Sequence, residues 1–237
     1  MKPLFRSIRL SNQATRNAIH IPSAGEEETH STLFAYPMGE VGIEICTGPV
    51  VDFRLRNHCR PALCDGAVPL LYAHHFSDGV VSYPKTHRKP AAIVVNDETR
   101  RWLMESGCYV VTKRFSSKEE KKRVAAFVFD PERLPCALVG FENHLNVFHS
   151  GKRGLDRETA YGLTVFLNST VVDNHFRVFS GHTQVNATDL RHMRYPSREQ
   201  LREFGRMAIT RNPSQSEIDA MIKGAEKQHG YQARQTT

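Results

Sequence analysis

The chain has 237 residues, 40% hydrophobic and 24% charged, which is enough apolar material for a substantial buried core. Its 32 Lys and Arg outnumber 25 Asp and Glu, and the net charge of +7 suits a polyanionic partner, although an excess of this size is also common in proteins that never meet nucleic acid. No run approaches the roughly 18 apolar residues of a membrane span, Met1-Lys2-Pro3-Leu4-Phe5-Arg6 leads into no apolar signal core, and the cysteines at 46, 59, 64, 108 and 136 include no Cys-x-x-Cys pair; membrane and secreted disulfide classes are set aside in favour of a reducing cytoplasm.

Residues 1–40 mix Arg, Asn, Ser and Pro with the acidic run Glu26-Glu27-Glu28 and read as an extended lead-in with one strand. Val41-Gly42-Ile43-Glu44-Ile45-Cys46 alternates as a strand does, Thr47-Gly48-Pro49 turns, and Val50-Val51-Asp52-Phe53-Arg54 reads as the return strand of a hairpin. Further short strands are predicted at Val68 to Tyr72 and Ala91 to Val95, joined by a polar connection of a length that is often functional. Asn96-Asp97 is placed to cap a short helix reaching Glu105. Strands follow at Cys108 to Arg114, Arg123 to Phe129, Ala137 to Phe141 and Leu145 to Phe148.

The pattern then changes period. Asp156 is a fair N-cap, and Ala160, Leu163, Leu167 and Val171 recur at helical spacing as one buried stripe. Ser197-x-x-Gln200 and Ser214-x-x-Glu217 match capping boxes and predict helices near 197–208 and 214–227, with residues 229–237 frayed. The fold class expected is α+β, with a mixed, mostly antiparallel sheet closed off by C-terminal helices.

No Gly-x-Gly, Gly-x-Ser-x-Gly or His-Glu-x-x-His string occurs, and Gly151-Lys152 lacks the upstream glycine of a phosphate loop. Asp130, Glu132 and Glu142 keep open a nuclease site assembled from distant positions. His58, Cys59, Cys64, His74 and His75 crowd one stretch, but Cys59-x-x-x-x-Cys64 without a second pair fits a structural zinc site poorly, and buried cysteines beside half-exposed histidines are the favoured reading.

Basic residues concentrate between 85 and 123, including Lys113, Arg114, Lys118, Lys121 and Lys122, and could neutralise phosphates; Glu119-Glu120 within the run equally suits a solvated loop. Base reading calls for forked donors and acceptors on an accessible loop. Residues 180–191 supply Gly181, His182, Thr183, Gln184 and Arg191, followed by Arg194, with His182 and Gln184 preferred as readers. Asn186 and Thr188 suit the cap of a small helix starting at Asp189 better. Glu142-Asn143-His144 is a second base-facing candidate, Asn143 and His144 being the residues assigned to DNA, with a backbone-satisfying bend as the alternative for Asn143.

The blocks Gly42 to Arg54, Val68 to Tyr72, Lys113 to Glu120, Glu142 to Val147 and Leu167 to Pro196 resemble, in order, the target-recognition domain of adenine-specific DNA methyltransferases from restriction-modification systems, a TaqI-like specificity region, over about residues 40–225. The resemblance implies a lead-in at 1–40, a DNA target-recognition domain at 41–195 and a C-terminal helical extension at 196–237. It also implies double-stranded DNA as partner. The Asn-Pro-Pro-Tyr motif and glycine-rich S-adenosylmethionine loop of the family's catalytic half do not occur; Asn212-Pro213-Ser214 lacks the second proline and the aromatic ring. Methyl transfer and its cofactor are therefore expected on a separate catalytic chain. A complete enzyme with a scattered site, or a protein-interaction module derived from such a domain, remain the alternatives.

Overall fold

The computed structural model describes residues 34–77, 80–116, 120–179 and 184–235. In chain order the strands are β1 (Tyr36–Pro37), β2 (Glu44–Thr47), β3 (Cys59–Arg60), β4 (Ala67–Leu71), β5 (Phe76–Ser77), β6 (Val80–Val81), β7 (Ala92–Val94), β8 (Met104–Glu105), β9 (Tyr109–Lys113), β10 (Ala126–Phe129), β11 (Leu138–Phe141) and β12 (Leu145–His149). Helices α1 (Arg157–Leu167), α2 (Thr170–Phe179) and α3 (Ala187–His192) follow, then β13 (Arg194–Tyr195), α4 (Arg198–Ile209) and α5 (Gln215–Gln235).

Two sheets and a layer of helices stack on one another. The four-stranded sheet β10-β9-β12-β2 is wholly antiparallel, and the five-stranded sheet β3-β7-β4-β11-β8 is antiparallel except where β11 runs parallel to β4. Side chains alternate across a strand, and here both faces are covered. Val110, Ala126, Val128, Phe148 and Ile45 point to the helices, whereas Tyr109, Val111, Phe127, Phe129, Leu145 and Val147 point to the second sheet. The fold is α+β, its sheets mostly antiparallel and its helices towards the C-terminus, as expected.

Four local expectations are corrected. Residues 41–54 form no hairpin: β2 pairs with β12, and the chain beyond Gly48-Pro49 crosses to the other sheet, where Val50 makes a bridge to Glu142 and residues 52–55 turn. The helix expected up to Glu105 is a single turn at Arg100–Trp102, whose N-cap is Thr99, followed by β8; Asn96 instead closes the preceding turn, accepting from the Glu98 and Thr99 N–H groups. The stripe from Ala160 to Val171 is divided between α1 and α2. The break lies at Asn168, which spends its amide on the open edge of β10, donating to Ala126 O at 2.7 Å and accepting from Ala126 N at 3.1 Å. At the far end α5 continues to Gln235.

The capping residues act as read. Asp156 accepts from Thr159 N, Ser197 from Gln200 N, and Ser214 N donates to Glu217 Oε2. Helices α1 and α4 approach so closely that Gly162 lies on the Leu201 carbonyl and Gly205 on the Glu158 carbonyl, leaving no room for a Cβ at either. Arg198 to Asp156 and Arg202 and Arg206 to Glu158, at 3.0–3.2 Å, lace the same helix pair at the surface. Asp130, after β10, is buried and accepts from Glu132 N, Arg157 Nε and Tyr161 OH at 2.9–3.0 Å, so it joins sheet to helix layer.

Candidate nucleic-acid interface

The end of the four-stranded sheet at which β9 stops and β12 starts gathers residues from three distant segments. Leu145 stands opposite Lys113 in the ladder, and Arg114 N continues it by donating to His144 O at 3.0 Å. Arg114 also donates through a guanidinium nitrogen to Asn143 O at 2.9 Å, which fixes the turn between β11 and β12. The third segment arrives beside these two: Val185 N donates to Arg114 O at 2.7 Å, and Gln184 bridges to Phe115. Buried Asn146 secures it from below, donating to Val185 O at 2.8 Å and Thr112 Oγ1 at 3.3 Å. Lys113, Arg114, Asn143, His144 and Gln184 are thereby brought together.

Phe115, which the sequence reading did not assign to the interface, and Glu142, which it placed in the base-facing segment, complete this cluster. Phe115 is 49% exposed and lies 5.2 Å from the His144 ring, with the Arg114 guanidinium 6.0 Å from the centre of the Phe115 ring. Glu142 is 1% exposed and accepts from both His144 N at 3.0 Å and His144 Nδ1 at 2.5 Å. A large apolar ring held in water beside cations and amides is the composition of a recognition surface.

The turn is also held from behind. Gly48 N donates to Leu145 O, Val50 N to Phe141 O, and Asn143 N to Val50 O, at 2.8–3.0 Å. A Cβ on Gly48 would collide with the Glu142 carbonyl. Gly48→Ala is therefore expected to displace the 142–144 turn and lower stability by about 1–3 kcal/mol, the usual cost of overpacking. Urea unfolding of the variant beside wild type checks it; unchanged stability would show that the turn yields without cost.

The other candidates lie apart. Lys122 is half-buried, and its Nζ donates to Asn168 O at 2.5 Å at the C-terminal end of α1; burial pushes its ammonium below the usual lysine value. Lys121 is exposed and its carbonyl accepts from Arg177, which also pairs with Asp173 at 2.7 Å, so the 120–122 segment is folded back on α2. Arg191 donates to Ile45 O at 2.9 Å and Arg194 to Ala35 O at 2.6 Å, each leaving the remainder of an exposed guanidinium outward. Lys118, Gly181, His182 and Thr183 lie outside the described residues. Asn186 occupies the N-cap of α3, which begins at Ala187, two residues before the expected Asp189.

Among the described residues no group of three His, Cys, Asp or Glu side chains is placed to hold a metal. His58 contacts Glu98 and Asn96, Cys59 Sγ contacts Leu55 O, and His74 is sandwiched between Tyr72 and His87. Asp130 and Glu132 share Arg157, whereas Glu142 is committed to His144. No described helix is long and apolar enough to cross a membrane.

No protein-family model matches the chain. It is 49% identical over 210 residues to the Type II methyltransferase M.BsuBI of Bacillus subtilis, an alignment covering 86% of this chain and 42% of the relative. To the Type II methyltransferase M.PstI of Providencia stuartii it is 41% identical over 186 residues, covering 78% of this chain and 37% of the relative. A chain from a structure of the complex assembly and conformational transition of the type I R-M system superposes with a TM-score of 0.41 at 12% identity, covering 84% of this chain and 42% of that one. The chain thus spans about two fifths of the length of the curated relatives it matches. Over most of its own length, it is homologous to part of the Type II methyltransferases of restriction-modification systems.

Proposed function

We propose that this chain is the DNA-reading part of an adenine-specific DNA methyltransferase of a restriction-modification system, working in the cytoplasm on double-stranded DNA. The observation that carries the reading is the convergence of Lys113, Arg114, Phe115, Asn143, His144 and Gln184 at one sheet end. Cations there suit phosphates, and the amides and imidazole suit base edges. Homology to Type II methyltransferases supplies the context.

Methyl transfer is assigned to residues on a separate catalytic chain, which would bind S-adenosylmethionine. The residues present do not fit either task. Gly-x-Gly and Asn-Pro-Pro-Tyr are absent from the sequence, and Asn212-Pro213 is an exposed or half-exposed lead into α5, where Ser214 and Glu217 are occupied in capping each other.

The test is selection of bound duplexes from a randomised library at near-physiological salt. Enrichment of one short motif containing adenine is the expected outcome, and no enrichment would overturn the reading. On the selected duplex, Lys113→Ala should weaken binding to all sequences and lower the salt slope by about one. Gln184→Ala should instead relax preference at one position, by about 1–3 kcal/mol. Equal effects of both substitutions on every sequence would refute the division into positioning and reading residues.

A further inference from the structure

We infer that Glu142 is a positioning residue that turns His144 so that its Nε2 is presented as a hydrogen-bond acceptor for the exocyclic amine of an adenine or cytosine; the inference rests on the DNA-reading function proposed above. The Glu142 carboxylate is almost fully buried and accepts from the His144 backbone N–H through one oxygen and from Nδ1 through the other. An ionised carboxylate can only accept, so Nδ1 carries the proton. With Nδ1 carrying the proton, the neutral tautomer is the one that shows a lone pair at Nε2, on the side away from Nδ1. This is the arrangement by which a carboxylate orients a metal-bound histidine, here facing a base in place of a metal.

The ring has little freedom to leave that pose. Its side chain is half exposed, 49%, yet Phe115 lies against it at an interplanar angle of 47°. No described residue hydrogen-bonds to Nε2. Arg114, bonded to Asn143 O, places positive charge beside the turn, where backbone phosphates would be drawn in, and Lys113 on the same strand end holds its Nζ over the Phe127 ring. In the major groove only adenine N6 and cytosine N4 donate, so an acceptor at this position selects those two bases and rejects guanine O6 and N7 and thymine O4.

Glu142→Gln inverts the logic with little change of shape. If the carbonyl of the substituted amide accepts from the His144 backbone, its NH2 faces Nδ1, which must then accept; the proton moves to Nε2, and the ring presents a donor. The experiment uses the duplex selected by the wild-type chain, with each adenine in turn replaced by purine, which lacks N6, and each cytosine by 2-pyrimidinone, which lacks N4. Wild type is expected to lose about tenfold in affinity at one position, the value of a single base contact, and the analogue identifies which amine is read. His144→Ala, an exposed substitution that should fold, should lose that sensitivity alone. Glu142→Gln should lose it as well and gain affinity for guanine at that position, an outcome that loosened packing would not produce.

Equal sensitivity of wild type and His144→Ala at every position would overturn the inference while leaving DNA reading intact, as would Glu142→Gln retaining the wild-type pattern. Failure of the wild-type chain to select any duplex would overturn the DNA-reading function itself, and the inference with it.

Discussion

Gly162→Ala is expected to lower stability by about 3 kcal/mol or more, at the upper end of what overpacking costs. The side chain of even alanine would occupy the space of the Leu201 carbonyl, and a backbone oxygen cannot rotate away as a flexible side chain can. The helices would have to separate along their shared length. That separation would disturb Leu163, Phe166, Leu201 and Phe204, which are buried in the core against the four-stranded sheet. For a chain of 237 residues the corresponding fall in Tm is about 6–12 °C. Thermal and urea unfolding of Gly162→Ala check the value, with Gly224→Ala as control, because nothing lies within 4 Å of a Cβ at Gly224. A loss below about 1 kcal/mol would mean that the α1–α4 contact relaxes without cost.

Asp130→Ala should cost about 1–3 kcal/mol, because removing the buried carboxylate leaves the groups that donate to it without their acceptor. Arg157 would keep Glu132 and its place over the Tyr161 ring, and the Glu132 N–H and Tyr161 hydroxyl would lose their acceptor. The wild-type carboxyl carries a pH signature. Burial alone would raise its pKa, but the Glu132 N–H, the Tyr161 hydroxyl and Arg157 outweigh burial and hold it below the ordinary aspartate value. Because the folded value lies below the unfolded one, this contribution is present in full above about pH 4 and is lost as pH falls through the folded value. The stability gap between wild type and Asp130→Ala should therefore narrow between pH 7 and pH 3 in urea titrations. A gap that stayed constant would place the effect in packing and not in charge.

The runs that became β4, β7, β9, β11 and β12 were legible because β-branched and aromatic residues cluster there between turn formers, and the helix starts at Asp156, Ser197 and Ser214 were legible because capping is a local interaction. The layering was not. A sheet covered on both faces replaces alternation with continuous apolar runs such as Ala126–Phe129, which say nothing about which side meets which partner. The expected hairpin failed for a related reason: the partner of Glu44–Thr47 lies about a hundred residues later, in β12, and no local pattern announces it.

At the interface, the residue types were readable and their company was not. Lys113, Asn143 and Gln184 become neighbours only through the β9–β12 register and the Val185 to Arg114 bond. Lys122 illustrates the opposite error, since nothing in a basic run reveals that one lysine is taken up by the carbonyl of Asn168. Phe115 follows the predicted strand Cys108 to Arg114 with nothing local to mark it, although its side chain is half in solvent.

The chain passes from the five-stranded to the four-stranded sheet through the turn at Glu142 to His144, while the strand interiors on either side are packed in apolar clusters. Framework and tip are thus under separate constraints. Exchanges at an exposed tip position such as Phe115 fall where substitutions usually change stability by no more than about 0.5 kcal/mol, whereas Thr112 and Asn146, further in on β9 and β12, are fully buried. Such an arrangement lets the exposed tip vary at little structural risk, so long as the glycine behind it and the Glu142 to His144 bonds beneath it stay in place.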